Sequence, residues 1–362
     1  MSTLFHALTV KRIEPDTAEA VIVSFDVPED LREVFGFTQG QYLTLRHSID
    51  GQDLRRSYSI CAGVDDGELR VGVRKVQGGT FSNWINASLK PGDSLQVMAP
   101  QGRFFVQIEP QARRQHLGIA GGSGITPILS IMKTVLAREP MSSFTLIYGN
   151  RRLQSTMFKE ELEDLKNRYL SRLSIHHVFS DEPSESDLSM GLMDRSKLGE
   201  FFAAGLLSAK RLDHAYICGP YQMNDEAEAA LLAAGVDEWR IHIERFGISP
   251  SAQASTDAVV HQAAPGDAEV TRIVIQRDGL RREFEFLKHQ PSILDAASAA
   301  GLEVPFSCTS GVCGTCRAKC LEGQVRMERN FALSPSEVAA GFVLTCQAHP
   351  ISDRVVLSFD DR

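Results

Sequence analysis

Four cysteines near the C-terminal end carry the most specific chemistry in the sequence. Cys308, Cys313 and Cys316 lie on one short stretch, and Cys346 follows some thirty residues later. The pattern C-x4-C-x2-C…C is the thiolate spacing of a plant-type [2Fe-2S] centre. Such a centre moves one electron at a time, makes no product itself and has a potential of about −400 mV. Three ligands on one loop require the backbone to wrap closely, with N–H groups turned towards sulfur; Gly311 and Gly314 permit that approach. A structural zinc site is the rival reading, because four cysteines also suit Zn²⁺. Zinc sites more often pair two C-x2-C units than use a compact triplet plus one. Cys320, four residues past Cys316, reads as a packed thiol on the following strand.

A second constellation is Gly121-Gly122-Ser123-Gly124-Ile125-Thr126-Pro127, which follows an apolar run and opens a helical pattern. Glycines here let the backbone approach a pyrophosphate, Thr126 is expected to cap the helix, and Pro127 suits its first turn. The segment departs from G-x-G-x-x-G, so a plain tight turn is the alternative. Cys218-Gly219-Pro220 also follows a strand pattern. In an open parallel sheet ligands bind beyond the strand C-terminal ends, where both segments fall. The second strand ends in Tyr148-Gly149-Asn150-Arg151-Arg152. NAD-selective domains often place an acid there for the ribose; two arginines instead suit a 2′-phosphate and favour NADPH. The alternative is a pair of solvated surface arginines. Ser180, after the third strand, reads equally as a phosphate contact or a turn serine.

A nicotinamide gives two electrons as hydride, whereas the cluster takes one. An intermediary that accepts a pair and releases singles is required, and flavin does this. Arg56-Ser57-Tyr58-Ser59 offers an arginine for phosphate, a tyrosine ring for flavin packing and serine hydroxyls for its edge. Gly78-Gly79-Thr80-Phe81-Ser82 offers N–H groups and hydroxyls for a pyrophosphate. Alone, each motif is weak: a strand tyrosine is more often a core aromatic, and Gly-Gly more often a turn. Their order upstream of the nucleotide turn and the cysteines strengthens both. FMN stays open beside FAD, with the Gly-Gly turn leaning towards FAD.

These motifs need elements to position them. At 362 residues the sequence suggests two or three domains, and 43% hydrophobic content lets each bury a core. Residues 1–110 show short alternating runs and turn signals, which predict an antiparallel β-barrel for the flavin. Residues 111–246 alternate strand and helix patterns, which predict an α/β parallel sheet for the nucleotide: strands over 116–120, 144–148, 173–179 and 213–218, helices over 126–138, 158–169 and 221–234. Residues 247–268, rich in Ala, Ser, Pro, Gly and Gln, read as a linker. Residues 269–362 are expected to form an α+β ferredoxin-type domain, with a hairpin around Asp278-Gly279 and a helix over 293–300. The net charge of −8 argues against a nucleic-acid partner. No apolar run approaches the roughly 20 residues of a membrane span. Seven cysteines, four of them with ligand spacing, do not suggest a disulfide framework, so a reducing, cytoplasmic setting is expected.

Taken together, the R-x-Y-S, G-G-x-x-S, G-G-S-G-I-T-P and C-G-P segments resemble the ferredoxin–NADP reductase superfamily. The appended cysteine domain is similar to that of reductases serving multicomponent oxygenases, with a β-grasp fold implied. Arg55-Arg56-Ser57-Tyr58-Ser59-Ile60-Cys61, Glu244-Arg245-Phe246 and Val343-Leu344-Thr345-Cys346-Gln347 share in the likeness. The resemblance implies that Arg56, Tyr58 and Ser59, with neighbouring Ser57, hold the flavin. Val73 and Arg74 add backbone and ribityl contacts, although the family more commonly has lysine at position 74. Gly79, Thr80 and Ser82 take the pyrophosphate. Gly124, Thr126 and Cys218, with Pro127, Gly219 and Pro220 alongside, surround the nicotinamide. Arg151 takes the 2′-phosphate beside Asn150, and Glu244 and Phe246 lie near the flavin ring. FAD, NADPH and a [2Fe-2S] cluster held by Cys308, Cys313, Cys316 and Cys346 are the implied cofactors. The implied partner is an oxygen-activating component, expected to be a di-iron hydroxylase acting on an aromatic acyl-CoA. No residue is required as general acid or nucleophile. A reductase for another ring hydroxylase or dioxygenase, including one that uses NADH, and a redox sensor are the competing readings.

Overall fold

The computed structural model describes residues 4–184, 186–247 and 263–361. The chain divides into two compact units, His6–Phe246 and Gly247–Arg362, the latter together with the first five residues.

The larger unit begins with six strands: β1 (Phe5–Thr17), β2 (Ala20–Asp26), β3 (Tyr42–Ile49), β4 (Gln52–Ser59), β5 (Leu69–Arg74) and β6 (Ser94–Met98). They form one sheet in the order β4-β3-β6-β1-β2-β5. The pairs β1–β2, β2–β5, β3–β4 and β3–β6 are antiparallel. Just past β4, Ile60 bridges to Val71 of β5, and the Cys61 N–H donates to the Arg70 carbonyl at 3.0 Å. These contacts join the two edge strands and close the barrel, so neither edge is left open. Leu8, Val23, Leu43, Leu45, Val71 and Val97 fill its interior.

Helix α1 (Thr80–Ala87) plugs the barrel. Its residues are mediocre helix formers, which is why the sequence shows only a turn here. Phe81 and Ile85, one helical turn apart, are both buried in the barrel core, and that packing overrides the weak propensity.

The same unit continues with a parallel sheet of β7 (Gln115–Gly121), β8 (Ser143–Asn150), β9 (Leu173–Phe179), β10 (His214–Gly219) and β11 (Ile241–Arg245). The order is β11-β10-β7-β8-β9. Helices α2 (Ile125–Arg138) and α3 (Lys159–Arg168) cover one face through Ile128, Leu129, Met132, Leu162 and Leu165. Helices α4 (Arg195–Ala203) and α5 (Tyr221–Ala233) cover the other through Leu198, Phe201, Ala227 and Leu231. Burial on both faces explains why the strands read as continuous apolar runs. Each fully buried Leu or Ile is worth about 1.5–3 kcal/mol. Strand β11 and helix α4 are the elements here that the sequence pattern does not reveal. The strand is short and half-buried along its length, and the helix carries only a weak apolar stripe.

Barrel and parallel sheet form one unit because β2 has two apolar faces. Val23 and Phe25 point into the barrel, while Ala20 and Ile22 join the core under α2 and α3. Polar links reinforce this seam. Asp16 of β1 accepts the Phe158 N–H at 2.9 Å, and Arg70 of β5 pairs with Glu161 of α3 at 2.5 Å.

The second unit contains β12 (Val270–Arg277), β13 (Leu280–Leu287), β14 (Arg317–Glu322), β15 (Val325–Met327), β16 (Phe342–Leu344), β17 (Ala348–Pro350) and β18 (Arg354–Ser358), with α6 (Ile293–Ala299) and α7 (Pro335–Ala339). Five strands run in the order β13-β12-β18-β14-β16, and β15 pairs with β17. The hairpin β12–β13 turns at Asp278 and Gly279, both in the left-handed region at φ 52° and 71°, as a two-residue hairpin loop demands. Ile293, Leu294, Ala296 and Ala297 of α6 pack on Ile273, Ile275, Val355 and Leu357, giving the β-grasp. Of the expected linker, residues 248–262 lie outside the described residues. Nearer the domain, Asp267 is buried and pairs with Arg326 at 2.6 Å.

Candidate functional site

The nucleotide turns sit where the strand order of the parallel sheet reverses. Strand β7 pairs with β8 on one side and with β10 on the other, so the connections leave in opposite senses. Gly121–Gly124 follows β7, and Cys218-Gly219-Pro220 ends β10, both at the C-terminal edge. A crevice at such a switch point is the ligand site of open α/β sheets. The two turns approach backbone to backbone: a Cβ on Gly124 would stand 2.0 Å from the Cys218 carbonyl oxygen. Only glycine fits there, and the cradle it leaves suits a close-lying dinucleotide. Helix α2 begins at Ile125 with Gly124 as its N-cap, and no side chain caps it. The Thr126 hydroxyl instead donates to the Ser123 carbonyl at 3.0 Å, so the expected threonine cap is replaced by a brace within the turn. Pro127 lies in the first turn of α2, where its missing N–H costs nothing.

Cys218 is fully buried, and burial pushes its thiol well above the ordinary range, so it is neutral. It is level with Glu244 on the adjacent strand β11. Glu244 in turn accepts the Ser59 hydroxyl at 3.2 Å, across 185 residues of sequence. Burial pushes the Glu244 carboxyl up to about 8, the serine opposing only in part. Ser59, Cys218 and Glu244 are therefore brought together where the barrel meets the sheet, and the pair Ser59–Glu244 can hold a proton near neutral pH. Phe246, two residues on, is exposed.

Strand β4 places the rest of its motif by alternation. Tyr58 is half-buried, its ring centroid 6.2 Å from Phe81 of α1. Ser57 faces Thr44 across the β3–β4 ladder at 3.3 Å. Arg56 is exposed, and its guanidinium donates to the Arg55 carbonyl at 2.7 Å. Gly79 caps α1, Thr80 is its first residue, and the Ser82 hydroxyl accepts the Val76 N–H at 3.1 Å. The Gly-Gly turn therefore opens onto a helix N-terminus, a stronger anion cradle than a turn alone. Val73 is buried with its carbonyl taken by Asn86 at 3.2 Å. Arg74 pairs with Glu19 at 3.0 Å, and a Cβ on Gly122 would meet its guanidinium at 2.9 Å, so it lies against the nucleotide turn.

At the far end of the crevice, Asn150 closes β8 and is buried, while Arg151 and Arg152 are exposed. Ser180 follows β9, and its hydroxyl donates to Asp181 at 2.7 Å. Asp181 and Glu182 are residues that sequence reasoning passes over: they look like ordinary loop acids until strand pairing sets them beside the arginines.

In the second unit the cysteine loop runs between α6 and β14. Gly311 and Gly314 adopt φ of 80° and 68°, conformations that other residues resist. The Cys308 sulfur accepts the Cys313 N–H at 3.3 Å and the Ser310 N–H at 3.5 Å; the Cys313 sulfur accepts the Thr315 N–H at 3.5 Å. Thr345 binds the Cys316 carbonyl through both its N–H and its hydroxyl, which brings Cys346 beside Cys316. Gln347 fastens the loop from below by donating to the Thr309 carbonyl at 2.9 Å.

Backbone hydrogen bonds set Cys308 beside Cys313 and, through Thr345, Cys346 beside Cys316. Among the described residues no three His, Cys, Asp or Glu side chains are placed to hold a single metal ion. The C-x4-C-x2-C…C spacing suits two irons better than one zinc. The Cys313 thiol, helped by backbone N–H groups, draws Cys308 down to about 5, whereas sulfur neighbours and burial push Cys313 and Cys316 up. Holding all four as thiolates would require positive charge among them, which the irons of a bound cluster would supply.

Comparison with known proteins agrees with this geometry. Residues 7–106 match the Oxidoreductase FAD-binding domain, residues 119–229 the Oxidoreductase NAD-binding domain, and residues 275–350 the 2Fe-2S iron-sulfur cluster binding domain. A barrel for FAD, a doubly wound sheet for the pyridine nucleotide and a four-cysteine β-grasp domain define an iron–sulfur flavoprotein oxidoreductase. The chain is 45% identical to a subunit of the 1,2-phenylacetyl-CoA epoxidase of Escherichia coli K12, over 99% of its own length and 98% of that protein. It is 31% identical to the 3-ketosteroid-9-alpha-monooxygenase ferredoxin reductase component of Rhodococcus rhodochrous, over 97% of this chain and 96% of the other. The structure of phthalate dioxygenase reductase superposes with a TM-score of 0.59 at 24% identity, covering 98% of both chains, and shows the shared fold. The chain belongs to the family of these reductase components, which join FAD-, NAD- and [2Fe-2S]-binding domains in one polypeptide. Among the described residues no helix is long and apolar enough to cross a membrane.

Proposed function

We propose that this chain is the electron-supplying component of a phenylacetyl-CoA epoxidase, delivering electrons from NADPH to a di-iron oxygenase in the cytoplasm. The likeness to the bacterial epoxidase component, at 45% over nearly the full length of both chains, supports the choice of client. The observation that carries the redox role is the four-cysteine loop, with backbone N–H groups turned onto its sulfurs, in a chain whose other unit holds a switch-point crevice. Bound FAD supplies acceptance of an electron pair and its release one at a time, and the cluster supplies single-electron transfer.

The residues supply position and charge. Gly124 and the Cys218 backbone hold the nicotinamide end close to the sheet edge. Tyr58 offers a ring face, and α1 with Gly79, Thr80 and Ser82 offers N–H groups to the pyrophosphate. Glu244, its carboxyl raised by burial to about 8, accepts the Ser59 hydroxyl and would bring little negative charge to the site edge at neutral pH. Arg56 and Arg151 are left exposed for phosphate groups.

The test is oxygen uptake in a reconstituted system. Chain, NADPH, phenylacetyl-CoA and a purified epoxidase oxygenase component should consume oxygen and form epoxide. Uptake that appears only with a ring hydroxylase or steroid oxygenase would reassign the client while leaving the redox role intact.

A further inference from the structure

The turn that presents Cys346 is gripped from another strand. Leu344 closes β16, and the Gln347 N–H donates back to its carbonyl at 2.9 Å, so Thr345 and Cys346 form the middle of a β-turn. Strand β16 lies at the edge of its sheet, with β14 on one side. The Cys320 N–H bonds the Gly341 carbonyl and the Thr345 N–H the Cys316 carbonyl, so alternation turns the Leu344 N–H away from β14. Leu344 is fully buried, which shuts that donor off from bulk water. The Met327 thioether accepts it at 3.2 Å. The next residue, Glu328, donates its own N–H to the Gln347 carbonyl at 3.0 Å. Residues 327 and 328 thus hold both ends of the turn. On its other flank the Leu294 N–H of α6 donates to the Thr345 carbonyl at 3.1 Å.

We infer that Met327 is a positioning residue for the fourth cluster ligand: its sulfur holds the Leu344 N–H and so sets the turn on which Cys346 is presented. The inference rests on the reading of Cys346 as a ligand and adds a residue to it. A thioether is a weak acceptor, yet here it stands where a neighbouring strand would offer a carbonyl. Strand β15 does not supply that carbonyl, because its three residues are paired with β17. Without the sulfur, a buried donor two residues from Cys346 loses its partner, and a shift of the turn towards solvent is the readiest relief. Such a shift moves Cys346 relative to Cys308, Cys313 and Cys316, whose loop turns on Gly311 and Gly314. Loss of the acceptor therefore acts on the cluster before it acts on the fold.

The test uses the full chain loaded with FAD and cluster. Iron release to EDTA is followed by bleaching of the cluster absorbance, and the dithionite-reduced cluster by EPR. Met327→Leu, which nearly keeps the volume and removes the acceptor, should release iron about three- to tenfold faster and shift the EPR g values. Met327→Gln, which returns an acceptor oxygen, should restore the parent spectrum and a release rate within about twofold of the parent. Val325→Ala is the packing control: Val325 lies on the same strand and packs on the same core but carries no acceptor. It should leave the EPR spectrum unchanged. A parent-like rate and spectrum in Met327→Leu would overturn the inference, as would Met327→Gln behaving like Met327→Leu, or the same spectral shift in Val325→Ala. If Met327→Leu does not fold, recovery of loaded protein in Met327→Gln supports the inference and its failure overturns it. Cys346→Ser separates the two readings. An unchanged cluster spectrum there removes Cys346 from the ligand set and the inference with it, whereas an altered spectrum there beside a parent-like Met327→Leu sinks the role of Met327 alone.

Discussion

The two units hold their groups by different means. In the C-terminal unit the chemistry is on side chains: three sulfurs from one loop, a fourth brought in by Thr345, and backbone N–H groups aimed at sulfur. In the N-terminal unit it is largely on backbone at strand ends: Gly124 against the Cys218 carbonyl, Gly79 at the head of α1. The first kind of site is specified by residue identity at fixed spacing. The second is specified by which strands pair, so residues far apart in sequence become partners only once the sheet exists. A ligand removed from the loop should therefore abolish one activity cleanly, whereas damage to the crevice should grade with displacement.

The largest effect is expected from Cys313→Ser. It removes one of the four sulfurs, so electron delivery to the oxygenase should fall to background while NADPH–ferricyanide turnover persists. Oxygenase-coupled NADPH oxidation and ferricyanide reduction, measured side by side, check it. Next comes Gly124→Ala, whose Cβ would meet the Cys218 carbonyl at 2.0 Å. Parting the two turns by about an ångström should slow flavin reduction by NADPH about a hundredfold, seen by stopped flow, while the cluster spectrum is retained.

Asp16→Ala tests the seam inside the N-terminal unit. It strips the acceptor from the N–H of Phe158, a residue held at φ 58°. A loss of about 1–2 kcal/mol in denaturant unfolding is expected, with the cluster domain unaffected. A pH-dependent effect concerns Glu244. Burial lifts it from an ordinary 4.5 to about 8, so between those values the folded chain keeps a proton that the unfolded chain has released. The associated stability is fully present below pH 4.5 and is lost as pH rises through 8. Glu244→Gln stays neutral throughout and should flatten this decline in melting temperature between about pH 5 and 8. An unchanged slope would show that Glu244 is ionised in the fold.

This contrast also explains which features are legible in the sequence. The cysteine spacing is legible because three of the four cysteines are local, and the hairpin at Asp278-Gly279 because left-handed turns demand those residues. The α/β alternation is legible because two-faced burial makes long apolar runs. The first-unit helix α1 is hidden because Phe81 and Ile85 form it through barrel contacts rather than propensity. The expected Thr126 cap is not realised because Gly124 takes the cap position, pressed against Cys218. The partnership of Ser59 with Glu244, and of Arg151 with Asp181, depends on register between strands and leaves no local signature.

The central claim is that one polypeptide carries electrons from a nicotinamide through flavin to a two-iron cluster. Anaerobic titration with NADPH, followed by visible absorption and low-temperature EPR, tests it most directly. The account predicts bleaching of the flavin band together with a reduced [2Fe-2S] signal, the latter absent in Cys313→Ser. Flavin bleaching without any cluster signal in fully iron-loaded wild-type protein would contradict it.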